Sequence, residues 1–147
     1  MKLLEQLAAI AAGTGSRRER ASAIAARIVT TTGARWVGIY SVTDETVVNE
    51  AWHGPAAPAH PRFPVTAGLT SYCIRTKSVA VSNDVAADPR YLTNQTDSGS
   101  ELIVPIVVDD RVVGTLDVES DGIGAFDGEL IALFQRVASS LAPLWAS

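Results

Sequence analysis

Apolar residues recur along this chain with two periods, one near its ends and another between them. Residues 2–12 place Leu3, Leu4, Leu7, Ala8 and Ala11 at three- and four-residue intervals, the spacing of one helix face. Gly13-Thr14-Gly15 ends that helix, because glycine takes the left-handed cap conformation without strain. Ser16 is placed to cap a second helix, with the stripe Ala21, Ile24, Ala25, Ile28 and Val29 and a stop at Gly33. Near the other end Asp127 caps a helix with the stripe Leu130, Leu133, Phe134, Val137, Ala138 and Leu141. Both terminal segments are thus expected to be amphipathic helices packed on one face of a sheet. Apolar surface left over on them is a natural dimer seam.

Between the helices the pattern alternates. In Arg35–Val42, Trp36, Gly38 and Tyr40 fall on one strand face and Val37, Ile39 and Ser41 on the other. Thr46–His53 returns as its hairpin partner, and the prolines of Gly54–Pro61 make a loop. Arg62–Val65 reads as an edge strand, since Pro64 restricts its pairing. Gly68–Thr76 reads as a short helix and Ser78–Ser82 as a strand. Asn83–Ser100 is a long polar segment, with Asp88-Pro89 opening one helical turn, and has the character of a binding lid or of irregular surface. Ser100–Ser120 is two apolar runs around a turn at Asp109, Asp110 and Arg111, hence a β-hairpin. Leu102, Val104, Ile106 and Val108 share one face of its first strand, opposite Glu101. Val112, Gly114, Leu116 and Val118 share one face of its second strand, and Val113, Thr115, Asp117 and Glu119 the other. Hairpins with helices at the termini predict an α+β domain around a central antiparallel sheet, not a doubly wound one.

Composition narrows the function classes. The 147 residues suffice for one compact core, and 47% hydrophobic with 19% charged residues is the balance of a folded domain. Net charge is −4, and the only close cluster of cations is Arg17, Arg18 and Arg20, read here as a solvated helix face. Nucleic acid is therefore not the expected partner. No apolar run approaches the ~20 residues that span a bilayer, so no membrane partner is expected either. Glu5 stands where an export signal would be apolar, and the single cysteine, Cys73, fits a reducing compartment; a cytoplasmic location is expected.

Several segments, in this order and at this spacing, resemble a GAF domain. They are Trp36–Tyr40, Val85–Leu92, Ser100–Ile106 and Val113–Ser120, the last followed by Ala125-Phe126-Asp127. The resemblance implies residues 1–15 as an N-terminal helix ahead of a single GAF domain at 16–147. It also implies a ligand held under loops on one face of the sheet, and pairing through terminal helices on the other. In detail the chain is similar to the free methionine-R-sulfoxide reductase subgroup. That likeness assigns Trp36, Tyr40, Glu101, Asp117 and Glu119 to the pocket, with Glu119 where an aspartate is usual. The three places it assigns to cysteines hold His60, Thr70 and Asn94, and Cys73 lies three residues beyond the second. Reduction of a sulfoxide by thiols needs an attacking thiolate and a resolving thiol, which these side chains do not supply.

Each candidate carries two readings. Trp36 and Tyr40 form either an aromatic wall, with Gly38 letting a ligand approach the backbone, or a core pair under the lid. Glu101, Asp117 and Glu119 are either a cluster for an ammonium group or solvated strand ends. Crowding of these acids would raise at least one pKa. Gly68, Leu69 and Thr70 open a helix whose N-terminus suits a small anion, or is merely capped; Asn94, in the lid, is a further ligand-binding candidate. Cys73 reads as buried packing. His53 and His60 lack metal or haem ligand spacing, so no cofactor is expected. The expected function is a stand-alone, non-catalytic sensory module. It would bind a small polar or zwitterionic ligand and signal, as a homodimer, to a partner protein. The alternatives are a methionine-R-sulfoxide reductase-like oxidoreductase and a receptor for a small anion such as nitrate.

Overall fold

The computed structural model of the chain describes residues 2–91 and 98–146. Its helices are α1 (Leu3–Ala11), α2 (Arg17–Thr32), α3 (Gly68–Thr76) and α4 (Gly128–Ser140). The strands β1 (Trp36–Val42), β2 (Thr46–His53), β3 (Arg62–Pro64), β4 (Ala80–Ser82), β5 (Ser100–Val108) and β6 (Arg111–Ser120) form one sheet in the order β3-β2-β1-β6-β5-β4. Every pairing is antiparallel. The fold is therefore the α+β arrangement that the hairpins predict.

Local chemistry sets the boundaries. Ser16 accepts from the Glu19 amide while the Glu19 carboxylate accepts from the Ser16 amide, a reciprocal cap on α2. Gly33 closes α2 at φ 75°. Asp127 caps α4 by accepting from the Leu130 amide at 2.9 Å. Asp109 (φ 51°) and Asp110 (φ 63°) are both left-handed, the conformation that a two-residue hairpin turn needs at its central positions. Among the described residues of the 83–99 segment, the helical turn comes earlier than the proline suggests. It spans Val85–Ala87, and Asp88 closes it and then holds Arg90 by its side chain.

Alternation divides the sheet into two faces. Val37, Ile39, Leu102, Val104, Ile106, Leu116 and Val118 join Leu7, Ile24, Ile28, Phe134 and Val137 in a core under α1, α2 and α4. The phase slips at two bulges. One between Ile106 and Val107 turns Val113, not Val112, toward that core. The other, between Ile39 and Tyr40, leaves Glu50 without a cross-strand partner and frees it to meet α2.

Glu50 anchors a network that ties Arg17 into the fold, while Arg18 stays on the solvated face that the sequence predicts. Arg17 and Arg18 reach it at 3.4 and 3.5 Å, and Ser41 Oγ donates to it at 2.5 Å. Arg17 Nε also donates to Leu144 O, and its guanidinium lies 5.7 Å from the centre of the Trp145 ring. Trp145 Nε1 donates to Ser41 Oγ at 2.9 Å, and its ring covers Gly114, where a side chain would collide with it. Arg20 donates to Ala11 O and Gly15 O, tying α1 to α2. Trp145→Ala is expected to cost about 2 kcal/mol, through lost packing and the orphaned Ser41–Glu50 pair. Trp145→Phe, which keeps an aromatic ring but loses the N–H and part of the indole that covers Gly114, should cost less than the alanine change, read by urea unfolding.

Candidate functional site

The face of the sheet opposite the terminal helices carries the chemistry. In β1, Trp36 lies across from Glu119, Gly38 from Asp117 and Tyr40 from Thr115 of β6. On the other side of β6, Glu101 of β5 lies across from Glu119, and Ile103 from Asp117. Three adjacent strands thus bring Trp36, Tyr40, Glu101, Asp117 and Glu119 to one face. All five are at most 2% exposed. The acids are not solvated strand ends.

α3 covers this face. Leu69 and Cys73 pack with Ala80, Ile103 and Tyr91, while Ala67 and Ile74 pack beside Trp36, Tyr40, Val47 and Phe63. Leu69 and Thr70 are buried and Gly68 is half-buried. Asn94 lies outside the described residues. Gly38 does not open the backbone to a ligand as expected. The rings of Trp36 and Tyr40 fold over it, and an added Cβ would meet both. Trp36 also donates Nε1–H to Ala56 O at 2.9 Å, which fixes the loop after β2. The aromatic pair is therefore buried core on the face that carries the acids.

The carboxylates are unequal. Glu119 Oε1 accepts from Tyr91 Oη at 2.8 Å and from Ser98 Oγ at 2.5 Å, so the two described flanks of residues 92–97 converge on it. Sequence reading missed Tyr91 and Ser98 as site residues, although both stand in a polar lid with hydroxyls to offer. Asp117 Oδ1 accepts from Thr115 Oγ1 at 2.8 Å, but its Oδ2 and the Tyr40 hydroxyl have no hydrogen-bond partner among the described residues. Burial raises the Asp117 pKa well above the carboxylate range, and the charge of Glu119 adds to this, while the Thr115 bond opposes it. Burial also raises the Tyr40 pKa, with further contributions from all three acids. The neighbouring Asn49 amide offsets part of that rise, though at hydrogen-bond distance it donates to Ala51 O.

Cys73 is fully buried, and burial together with the Asp117 charge pushes its thiol pKa up. A thiol held neutral in an apolar contact is a poor nucleophile. Of the other places that the reductase likeness assigns to cysteines, Thr70 is buried in α3 and His60 is half-buried before β3. Among the described residues no group of three His, Cys, Asp or Glu side chains is arranged to hold a metal ion. No helix among them is long and apolar enough to cross a membrane.

Residues 14–145 match the family model of the GAF domain. The chain belongs to the GAF domain family. It is 28% identical over 116 residues to the free methionine-R-sulfoxide reductase of Escherichia coli, covering 74% of this chain and 69% of that protein. It also superposes on the structure of free methionine-R-sulfoxide reductase from Neisseria meningitidis in complex with its substrate. There the TM-score is 0.86 at 26% identity, over 97% of this chain and 86% of that one. A putative GAF sensor protein from Burkholderia vietnamiensis shares the fold, with a TM-score of 0.83 at 23% identity over 95% and 89% of the two chains. This GAF domain thus has homology to reductases of methionine sulfoxide while holding one cysteine, Cys73, in a buried contact.

The sign of the Asp117 shift gives a test. A carboxyl whose native pKa lies above its unfolded value of about 3.9 stabilises the fold fully below that pH. That contribution is lost as pH rises through the native pKa. Thermal midpoints of the wild-type protein and Asp117→Asn, compared across pH, should therefore diverge. The two should lie close near pH 4, and the variant should become the more stable at neutral pH and above.

Proposed function

We propose that this GAF domain is a non-catalytic sensory module binding a small cationic or zwitterionic molecule between the sheet and α3. One observation carries the reading: three carboxylates share a buried face with Trp36 and Tyr40, and Asp117 Oδ2 and Tyr40 Oη lack hydrogen-bond partners among the described residues. Buried acids that repel one another are relieved by a cation, and an ammonium group donates three hydrogen bonds while an aromatic wall favours its charge. The carboxylate of a zwitterion would face the first turn of α3 at Gly68, Leu69 and Thr70, where the helix dipole favours an anion. Asn94 belongs to the same proposed site.

Signalling needs a ligand that binds one conformation better than another. The sheet supplies a route, because the residues of β6 alternate between this site and the core under the terminal helices. We place the output there, in a homodimer or a docked signalling partner in the cytoplasm. Neither nucleic acid nor membrane is expected as partner.

A reductase reading has support of its own in the 28% identity to the Escherichia coli enzyme. Its chemistry would need Cys73 to leave its buried contact, attack the sulfoxide sulfur and be regenerated by an external thiol. Calorimetric titration with free amino acids and methionine sulfoxide, alongside a turnover assay with thiol, separates the two readings. The sensory reading expects saturable binding of an amine-bearing ligand, weakened at least tenfold, about 1.4 kcal/mol, in Asp117→Asn, with no turnover. Turnover abolished by Cys73→Ser would establish the enzyme instead. Binding indifferent to Asp117→Asn would remove the acids from the site.

A further inference from the structure

Several titratable groups meet Asp117 on the acidic face. Tyr40 of β1, Glu101 of β5 and Cys73 of α3 lie around it, Glu119 follows it along β6, and Tyr91 arrives from the flank of residues 92–97. Burial raises the pKa of Tyr40, Cys73 and Tyr91, and the charges of the acids add to each shift, so these three stay neutral near neutral pH. The carboxylates are the groups left to change charge. Glu119 accepts from the Tyr91 and Ser98 hydroxyls, which favours its ionised form. Asp117 is 1% exposed, and its Oδ1 accepts from Thr115 Oγ1 at 2.8 Å. Its Oδ2 and the fully buried Tyr40 hydroxyl have no hydrogen-bond partner among the described residues. The arginine just ahead of β1, Arg35, has Asp121 as an ionic partner at 3.7 Å.

Resting on the amine-binding reading above, we propose that ligand-free Asp117 carries a proton and that a primary ammonium group binds by displacing it. Burial sets the resting state, because an ionised carboxylate with an unpartnered oxygen in a closed space is costlier than a neutral one. The Glu119 charge acts in the same direction, while the Thr115 bond opposes it. A ligand ammonium reverses the balance. Its N–H groups donate to Asp117 Oδ2 and to the Tyr40 oxygen, and its charge favours the ionised carboxylate. The O–H bond of Asp117 breaks, its proton leaves to water, and the ammonium keeps all of its own protons. One positive charge enters as another departs, so the face holds the same net charge before and after. That constancy lets three acids share a closed face with and without ligand. Affinity is then linked to pH: the ligand competes with the resident proton, and binding tightens as the pH rises.

Methylammonium is the probe, since an alkylammonium holds its charge up to about pH 10. Its binding is followed by amide shifts in two-dimensional NMR between about pH 6 and about pH 8. Displacement of one proton predicts an affinity that rises up to about tenfold per pH unit while the proton is resident. Tetramethylammonium, which has the charge but no N–H to donate, should bind at least about tenfold more weakly. A second measurement needs no ligand. Infrared spectra of the free protein at neutral pH should contain the carbonyl stretch of a protonated carboxylic acid, and Asp117→Asn should remove it. A methylammonium affinity that ignores pH would overturn the exchange and leave the amine site standing. So would an acid band that is absent, or that survives Asp117→Asn. Equal affinity for tetramethylammonium would overturn the direct contact with Asp117 Oδ2, and the exchange with it. No methylammonium binding at any pH would remove the amine site and the exchange together.

Discussion

The register between β1 and β6 is the constraint on which the rest of this molecule depends. Gly38 opposite Asp117, and Trp36 opposite Glu119, place acids and aromatics on one face. The same pairing sends Val37, Ile39, Leu116 and Val118 to the other face, under the terminal helices. A slip by one residue would exchange the two sets, pushing carboxylates into the apolar core and exposing its valines. The register is therefore held by the unfavourable alternative as much as by its own hydrogen bonds. It also makes the acidic face affordable: burying charge in that position is tolerated because the opposite face of the same strands buries a large apolar core.

Much of this arrangement is legible in the sequence, and the reason is local. Alternation in Trp36–Val42 and in Ser100–Ser120 assigns faces without knowledge of the partner strand. Ser16, Gly33 and Asp127 mark helix ends because capping needs only a few neighbouring residues. What the sequence hides is set by pairing between distant segments. The bulges that turn Val113 inward and release Glu50 depend on how many residues the partner strand offers between hydrogen bonds. The Arg17–Glu50–Ser41–Trp145 network joins positions from opposite ends of the chain, and a run of three arginines near the N-terminus carries no trace of it.

The candidate site shows the same division. That Trp36, Tyr40, Glu101, Asp117 and Glu119 share a face follows from alternation plus the hairpin. That the Trp36 and Tyr40 rings close over Gly38 does not, because rotamers answer to packing from α3 and the 54–61 loop. The glycine is needed to seat two rings side by side, a close-approach role different from contact with a ligand. Tyr91 and Ser98 were hidden for a further reason. A hydroxyl in a polar loop looks the same in sequence whether it meets water or a buried carboxylate.

The surroundings of the acids also bear on the reactivity of Cys73. Cys73 sits where the Asp117 charge and burial act in the same direction, both against the thiolate. A ligand ammonium that held Asp117 ionised would keep that negative charge beside the sulfur. A neutral Asp117 would relieve the charge but leave the burial, and with it most of the obstacle. Either way the thiol stays poorly nucleophilic while it remains in its contact with Leu69, Ala80 and Ile103.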